Sequence, residues 1–259
     1  MNASLKALLN EKATEYNCRN FILHDPISIP HLFTNPLDIE IASFLTCTIA
    51  WGQRKTIIAN ARNLMHRMND KPYEFVYDFG RSERNQLKGF VHRTFSSDDL
   101  IQFVTALRRL YRECNSLEEI FAPQLQHPGD ARQAIGIFRD AFFSGPHSMH
   151  CEKHVSDPRK GSAAKRINLF LRWMVRRDNA GVDFGLWKTI PMSALSIPLD
   201  IHSGNVARNL GILSRKQDDW RAVEELDQQL RSCDALDPVR YDYALFGIGV
   251  FAKTEGIMP

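Results

Sequence analysis

Apolar residues recur at helical spacing along most of the chain, so the sequence predicts a protein built almost entirely of α-helices. The clearest stripes are Leu5, Leu8 and Leu9; Ile41, Phe44, Leu45 and Ile49; Ile57, Ala61, Leu64, Met65 and Met68; Leu100, Phe103, Leu107 and Leu110; Ile167, Phe170, Leu171 and Met174; and Trp220, Val223, Leu226 and Leu230. The alternation typical of half-buried strands does not persist anywhere, and no repeat period shows. We therefore expect an all-α fold.

Proline, glycine and polar clusters mark the ends of the predicted helices. A first helix over residues 1–23 is followed by an extended linker at His24–Pro30. The helix that begins at Asp38 is interrupted at Trp51–Thr56, and a second helix follows this corner. A polar loop over Phe143–Lys160 then leads into the most informative stretch of the chain.

That stretch, Pro158–Arg208, places a lysine and an aspartate at the starts of two successive helices. Ser162 follows the breaker Gly161 and is a ready N-cap, which puts Lys165 in the first turn of a helix. Asp200 opens the next helix directly after Ile197-Pro198-Leu199, which reads as an extended approach because the residue before proline avoids the helical region. A long return over residues 183–195 would bring the second helix start beside the first.

The positions of Lys165 and Asp200 at two helix starts favour a catalytic role for both residues. The positive end of the helix dipole disfavours a cation in the first turn, and a lysine that loses its proton is a nucleophile. The same dipole favours a charged carboxylate at Asp200. The alternative is ordinary: Lys165 is a solvated helix lysine and Asp200 is only an N-cap.

Composition and charge permit a nucleic-acid partner without requiring one. The chain has 259 residues, 44% hydrophobic and 24% charged, with a net charge of +3. Seven of its basic residues fall between Arg159 and Arg177, although a basic helix is usually just a solvated face. Five scattered cysteines argue against a disulfide framework, and neither a signal peptide nor a membrane-length apolar run is evident. We expect a cytoplasmic, nucleoid-associated protein.

The motif GSAAKRINLFLRW followed by IPLDIH resembles the helix-hairpin-helix DNA glycosylase superfamily, and within it the 8-oxoguanine lyases. The resemblance implies a bundle of two helical subdomains, one formed by residues of about 1–40 and 215–259 and the other by about 41–214. It places Lys165 as the Schiff-base lysine, Asp200 as the catalytic carboxylate and His202 as a phosphate contact. The usual hairpin L-P-G-V-G is replaced by P-R-K-G-S, which keeps only Gly161. Over nearly its whole length the chain also resembles a bacterial family of conserved hypothetical proteins.

The same resemblance implies a damaged-DNA site, with no metal and no cofactor, on a monomer that binds damaged duplex or single-stranded DNA. The expected DNA contacts are Gln53, Arg54, Lys160, Gly161, Ser162, Arg166 and His202, and the expected base pocket is Trp51, Pro198, Asp242 and Phe246. Gln53 has an equally simple interpretation as an exposed residue at a helix corner. Asp242 and Phe246 share one helix face, and the alternative there is core packing with Asp242 as a cap.

Two rival functions remain open from the sequence. One is a catalytically silent nucleic-acid-binding protein of the same fold. The other is a metal-dependent hydrolase built on the pattern H-x-x-H-C-x-x-H, formed by His147, His150, Cys151 and His154, whose residue types suit zinc.

Overall fold

The computed structural model describes residues 1–251 and confirms the all-α prediction. Within those residues thirteen α-helices are joined by loops and short 3-10 turns. Their bounds are α1 Ala3–Tyr16, α2 Arg19–Ile22, α3 Pro36–Thr48, α4 Arg54–Arg67, α5 Pro72–Tyr77, α6 Arg81–Leu87, α7 Ser97–Glu113, α8 Glu118–Phe121, α9 Ala131–Phe142, α10 Lys165–Val175, α11 Ile201–Asn209, α12 Trp220–Cys233 and α13 Tyr241–Phe251. The strands β1 (Val91–His92) and β2 (Phe95–Ser96) form one antiparallel hairpin.

Helix α3 runs through the core and is buried on all sides from residue 39 to residue 48. It begins two residues before the predicted start, because the Asn35 side chain accepts hydrogen bonds from the Leu37 and Asp38 amides and Pro36 takes the first helical position. The Phe44 ring meets aromatic rings from α7, α9 and α10. Helix α10, which carries Lys165, packs directly on α3.

A buried carboxylate on α3 fixes the loops around this core. Glu40 accepts hydrogen bonds from Tyr111 Oη (2.6 Å), Leu117 N (2.8 Å) and Trp187 Nε1 (2.5 Å), and also from the Ser116 hydroxyl. Burial raises the pKa of Glu40, while these donors oppose that effect. Glu40 thereby ties the end of α7, the start of α8 and the segment after α10 to one point.

The two ends of the described chain meet, since α1 packs against α13, and α13 also packs against α11. The predicted first helix is broken in two at Asn17–Cys18, and the linker at residues 24–30 forms tight 3-10 turns instead of an extended segment. The predicted division into two lobes stays a prediction. None of the helices in residues 1–251 is long and apolar enough to cross a membrane.

Candidate active site

The structure brings the predicted nucleophile and the predicted carboxylate together. Lys165 Nζ lies 3.7 Å from Asp200 Oδ2, and the two side chains are 28% and 24% exposed. Lys165 is the first residue of α10, and Asp200 is the N-cap of α11. The long segment between the helices reverses the chain, as the sequence predicts, so that two helix starts face one another at a partly open position.

Each oxygen of the Asp200 carboxylate has a different partner. Oδ1 accepts hydrogen bonds from the amides of His202 (2.9 Å) and Ser203 (3.0 Å), and the Asp200 amide donates to the Ser203 hydroxyl (3.0 Å). This is a capping box, which holds the carboxylate in one orientation. Oδ2 faces Lys165. An N-cap role and a catalytic role of Asp200 are therefore compatible, because the cap uses Oδ1 and leaves Oδ2 directed at Lys165.

The start of α10 differs from the prediction. The N-cap is Ala164, whose backbone is left-handed with φ 46°, and not Ser162. The Ser162 hydroxyl instead accepts from the Ala164 amide (3.2 Å), and Ser162 is held beside Asp219 at the start of α12. A left-handed alanine costs about 1–2 kcal/mol, and such strain gathers at functional sites. Ala164 offers no side-chain cap, and the Ile167 amide already donates to the Ala164 carbonyl (3.1 Å), so the first two amides of α10 can bind an anion.

The turn before α10 is anchored to α12. Gly161 ends the 3-10 turn Pro158–Lys160 with φ 93°, a conformation that glycine adopts without strain. Its carbonyl accepts from the Trp220 amide at 2.9 Å. Lys160 is exposed and has no ion-pair partner within residues 1–251.

A buried aspartate on α12 positions the approach to Asp200. The Ile197 amide donates to Asp227 Oδ1 at 2.9 Å, and Ile197, Pro198 and Leu199 are all buried. Pro198, predicted for the base pocket, is thus part of the packed segment that delivers Asp200. Burial raises the pKa of Asp227 to about 6, against the opposing charge of Arg231.

We expect Asp227 to make folding stability depend on pH. The folded protein binds its proton more tightly than the unfolded chain does, since its pKa rises from 3.8 to about 6. The resulting contribution to the free energy of unfolding is complete below about pH 4 and is lost as the pH rises through about 6. Asp227→Asn keeps an oxygen for the Ile197 amide and does not titrate. In urea unfolding, the free energy of unfolding of the variant should rise relative to that of wild type by up to about 3 kcal/mol between about pH 4 and pH 7. A difference that stays constant with pH would contradict this account.

Behind the site lies a buried network of charges. Arg172 of α10 pairs with Asp242 of α13 and donates from Nε to Asp183 (3.2 Å), which also binds Arg176 Nη1 (3.0 Å). Burial raises the pKa of Asp242 to about 6, and Arg172 opposes the rise. Asp242 does not cap its helix, because it lies within the first turn and its carboxylate is directed to Arg172. The network joins α10, the helix that carries Lys165, to α13.

Sequence reasoning missed a further carboxylate near Lys165. Asp25 is 9% exposed and accepts from the Ile27 amide at 3.0 Å. Burial raises its pKa, and the charges of Arg172, Arg54 and Lys165 lower it, which places all three cations in its surroundings. The only sequence signal was an aspartate before a proline, which is also an ordinary turn signal.

The remaining predicted residues fall into two contact groups. The Arg54 guanidinium stacks on the Phe246 ring at 4.9 Å, so the start of α4 meets α13. Trp51 packs against His92 and His154, and Arg166 stacks over it at 4.8 Å.

The predicted DNA contacts also differ in how free their side chains are. Arg166 donates to the carbonyls of Thr48 (2.6 Å) and Lys153 (3.0 Å), so its guanidinium is already engaged in hydrogen bonds to the backbone. Gln53 and His202 are exposed at the starts of α4 and α11.

The four residues of the H-x-x-H-C-x-x-H pattern do not converge. His147 bonds to the Gly145 carbonyl (2.8 Å) and to Glu152 (3.2 Å). The buried Cys151 thiol donates to the Ser148 carbonyl (3.0 Å). Only His150 and His154 come together, beside Asp99 of α7. The site proposed from the sequence for a metal hydrolase is therefore not assembled from those four residues.

Comparison with known proteins gives one result. A family model described as a protein of unknown function, DUF2400, matches residues 25–251. No curated protein and no solved structure matches the chain. The matched range contains Asp25, Lys165, Asp200 and Asp242, and the resemblance to the helix-hairpin-helix glycosylases stays a prediction. The chain belongs to the DUF2400 family.

Proposed function

We propose that the protein is a DNA repair glycosylase with AP lyase activity, which excises an oxidised base of the 8-oxoguanine kind through Lys165. The observation that carries the proposal is the 3.7 Å approach of Lys165 Nζ to Asp200 Oδ2 at two facing helix starts. The Lys160–Arg208 motif that resembles the 8-oxoguanine lyases contains both residues.

The chemistry requires a nucleophile and a fixed negative charge. Attack of an unprotonated Lys165 Nζ on the sugar C1′ breaks the glycosidic bond, and the base leaves with the bonding electrons and takes up a proton. Ring opening gives a Schiff base between Nζ and C1′, and loss of a C2′ proton then expels the 3′ phosphate. Asp200 Oδ2 is placed to take the lysine proton or to stabilise positive charge on the sugar.

The surroundings of this pair suit a nucleic-acid substrate. A base must leave the stack before it can be excised. The first two amides of α10 and the exposed Lys160 offer contacts to the backbone phosphates around the flipped nucleotide. Phe246, half-buried under Arg54, offers an aromatic surface to the base.

Borohydride trapping tests the proposal. The wild-type protein is incubated with duplexes that carry 8-oxoguanine, an abasic site or no damage, and borohydride reduces any Schiff base to a stable amine. A covalent adduct with the first two duplexes is expected. A protein that binds these duplexes and forms no adduct would instead favour the silent nucleic-acid-binding alternative.

DNA affinity should fall steeply with salt, because each neutralised phosphate releases counterions. Lys160→Ala should flatten the slope of log affinity against log salt by about one unit, the size expected for one phosphate contact. Gln53→Ala is the matched control, since it changes an exposed but uncharged side chain. It should leave the slope unchanged and lower the preference for damaged duplex. Fluorescence anisotropy across a salt series measures both. Equal slopes for wild type and Lys160→Ala would remove Lys160 from the DNA contacts.

A further inference from the structure

Two histidines and an aspartate meet at a second place in the molecule, where α7 begins. Asp99 is buried within the first turn of α7, and His150 and His154 belong to the 3-10 segment Met149–His154. One ligand atom from each of the three lies within 4.8 Å of the others. The two histidines come from the polar loop and the aspartate from a helix about fifty positions earlier.

The strongest feature of this cluster is a buried nitrogen without a partner. His154 is 3% exposed, and its Nε2 has no hydrogen-bond partner among residues 1–251. That nitrogen lies 3.8 Å from Asp99 Oδ2, too far for a hydrogen bond. A buried polar atom left unpaired costs about 1–3 kcal/mol of folding free energy, so a ligand bound to this nitrogen would remove that cost.

The ring of His154 is held so that Nε2 stays directed at Asp99. Phe95 meets it edge-on with ring centroids 4.8 Å apart, and Trp51 stacks on it at 5.7 Å. Asp99 is equally fixed, because its Oδ2 accepts from the Ser96 amide (2.9 Å) and the Ser96 hydroxyl (2.8 Å) in a capping box. His150 Nδ1 lies 2.8 Å from Asp99 Oδ1.

We propose that Asp99, His150 Nδ1 and His154 Nε2 bind a divalent transition-metal ion such as Zn²⁺. Tetrahedral zinc with bonds of 2.0–2.1 Å sets its ligand atoms about 3.4 Å apart. His150 Nδ1 lies 2.8 Å from Asp99 Oδ1 and His154 Nε2 lies 3.8 Å from Asp99 Oδ2, so each imidazole faces a different oxygen of the one carboxylate, at separations on either side of that value. Two imidazoles and a carboxylate are ligands that zinc accepts, and water completes the fourth position.

Binding requires one local rearrangement, which the exposed side of the site permits. Lys153 Nζ donates to His150 Nε2 at 2.7 Å, so the His150 proton lies on Nδ1, toward Asp99. The metal displaces that proton to solvent, Nε2 takes a proton, and the exposed Lys153 turns away. The His150 side chain is 54% exposed, which gives the ion a path into the site.

A metal here would join the loop before α10 to the start of α7 and would fix the Trp51 ring through His154. This inference does not rest on the glycosylase proposal, because it concerns a separate group of ligands. It also differs from the four-residue pattern in the sequence, since Asp99 takes the place of His147 and Cys151.

Metal binding by the untagged full chain, with Zn²⁺ alone as the probe, tests the proposal. After Zn²⁺ loading and dialysis, wild type should retain one equivalent, and Co²⁺ should give a d–d spectrum of a nitrogen and oxygen site. His150→Ala changes an exposed side chain and should weaken Zn²⁺ binding by more than the about 10- to 100-fold that loss of a mere outer-shell partner costs, because a direct ligand is removed. His147→Ala, in the same loop but bonded to Glu152, is the matched control and should bind as wild type does.

Thermal unfolding provides a second measurement on the same three proteins. Zn²⁺ should raise the melting temperature of wild type and His147→Ala but not that of His150→Ala, since only binding to the folded state stabilises it. Zinc retained equally by His150→Ala and wild type, or no zinc retained by wild type at micromolar concentrations, would overturn the proposal. Loss of binding in His147→Ala alone would also overturn it.

Discussion

Lys165→Gln should abolish borohydride trapping and strand cleavage at an abasic site. Glutamine keeps a polar side chain one atom shorter and ends in an amide that is not nucleophilic, so a Schiff base cannot form. Loss of a nucleophile lowers turnover by at least about 1,000-fold, and the residual rate reflects binding and the remaining groups. Single-turnover kinetics on an 8-oxoguanine duplex, followed by gel electrophoresis, measures excision and cleavage separately.

The control for this change is Lys160→Gln, which removes the same charge five positions earlier, from an exposed side chain in the turn before α10. At saturating protein it should trap as wild type does, because it lies outside the Lys165–Asp200 pair. Both variants should keep the wild-type circular dichroism spectrum, since neither side chain is buried. Undiminished trapping by Lys165→Gln would show that another amine is the nucleophile.

Asp200→Asn should slow base excision by about 100- to 10,000-fold, the range for loss of a positioned acid or base. Asparagine is as good an N-cap as aspartate, so its oxygen can still accept from the His202 and Ser203 amides and α11 should remain intact. The change therefore removes the charge beside Lys165 and keeps the cap. Duplex affinity should change little, because the carboxylate acts on the transition state.

Asp219→Asn is the matched control for Asp200→Asn, since Asp219 is also an N-cap and its carboxylate accepts from the Ala222 amide at 3.1 Å. Its carboxylate pairs with Arg215 instead of with a lysine at the site. Excision by this variant should stay within a few-fold of wild type. If Asp200→Asn also excises at the wild-type rate, Asp200 serves only as a helix cap.

The sequence predicted the Lys165–Asp200 pair because each residue stands at a local signal for a helix start. Pro198 and the capping ability of aspartate indicate the start of α11, and Gly161-Ser162, a pair that interrupts helices, indicates the start of α10. The actual N-cap of α10 could not be predicted, since a left-handed alanine has no propensity signal and the Ser162–Asp219 contact beside it joins positions 57 apart.

Contacts between distant positions were beyond sequence reasoning. Arg172 and Asp242 are 70 positions apart, and no spacing rule links an arginine in the middle of one helix to an aspartate on another. Asp25 and Asp99 join their clusters in the same way, by the packing of whole helices. Periodicity predicts which face of a helix is buried, but it does not predict which buried charge meets which.

The most direct test of the central claim is to locate the trapped adduct on the chain. The wild-type protein is reduced with borohydride on abasic DNA, digested with nuclease and protease, and mapped by tandem mass spectrometry. We expect the reduced sugar remnant on Lys165 alone. A remnant on another lysine or on the N-terminal amine, with Lys165 unmodified, would contradict it.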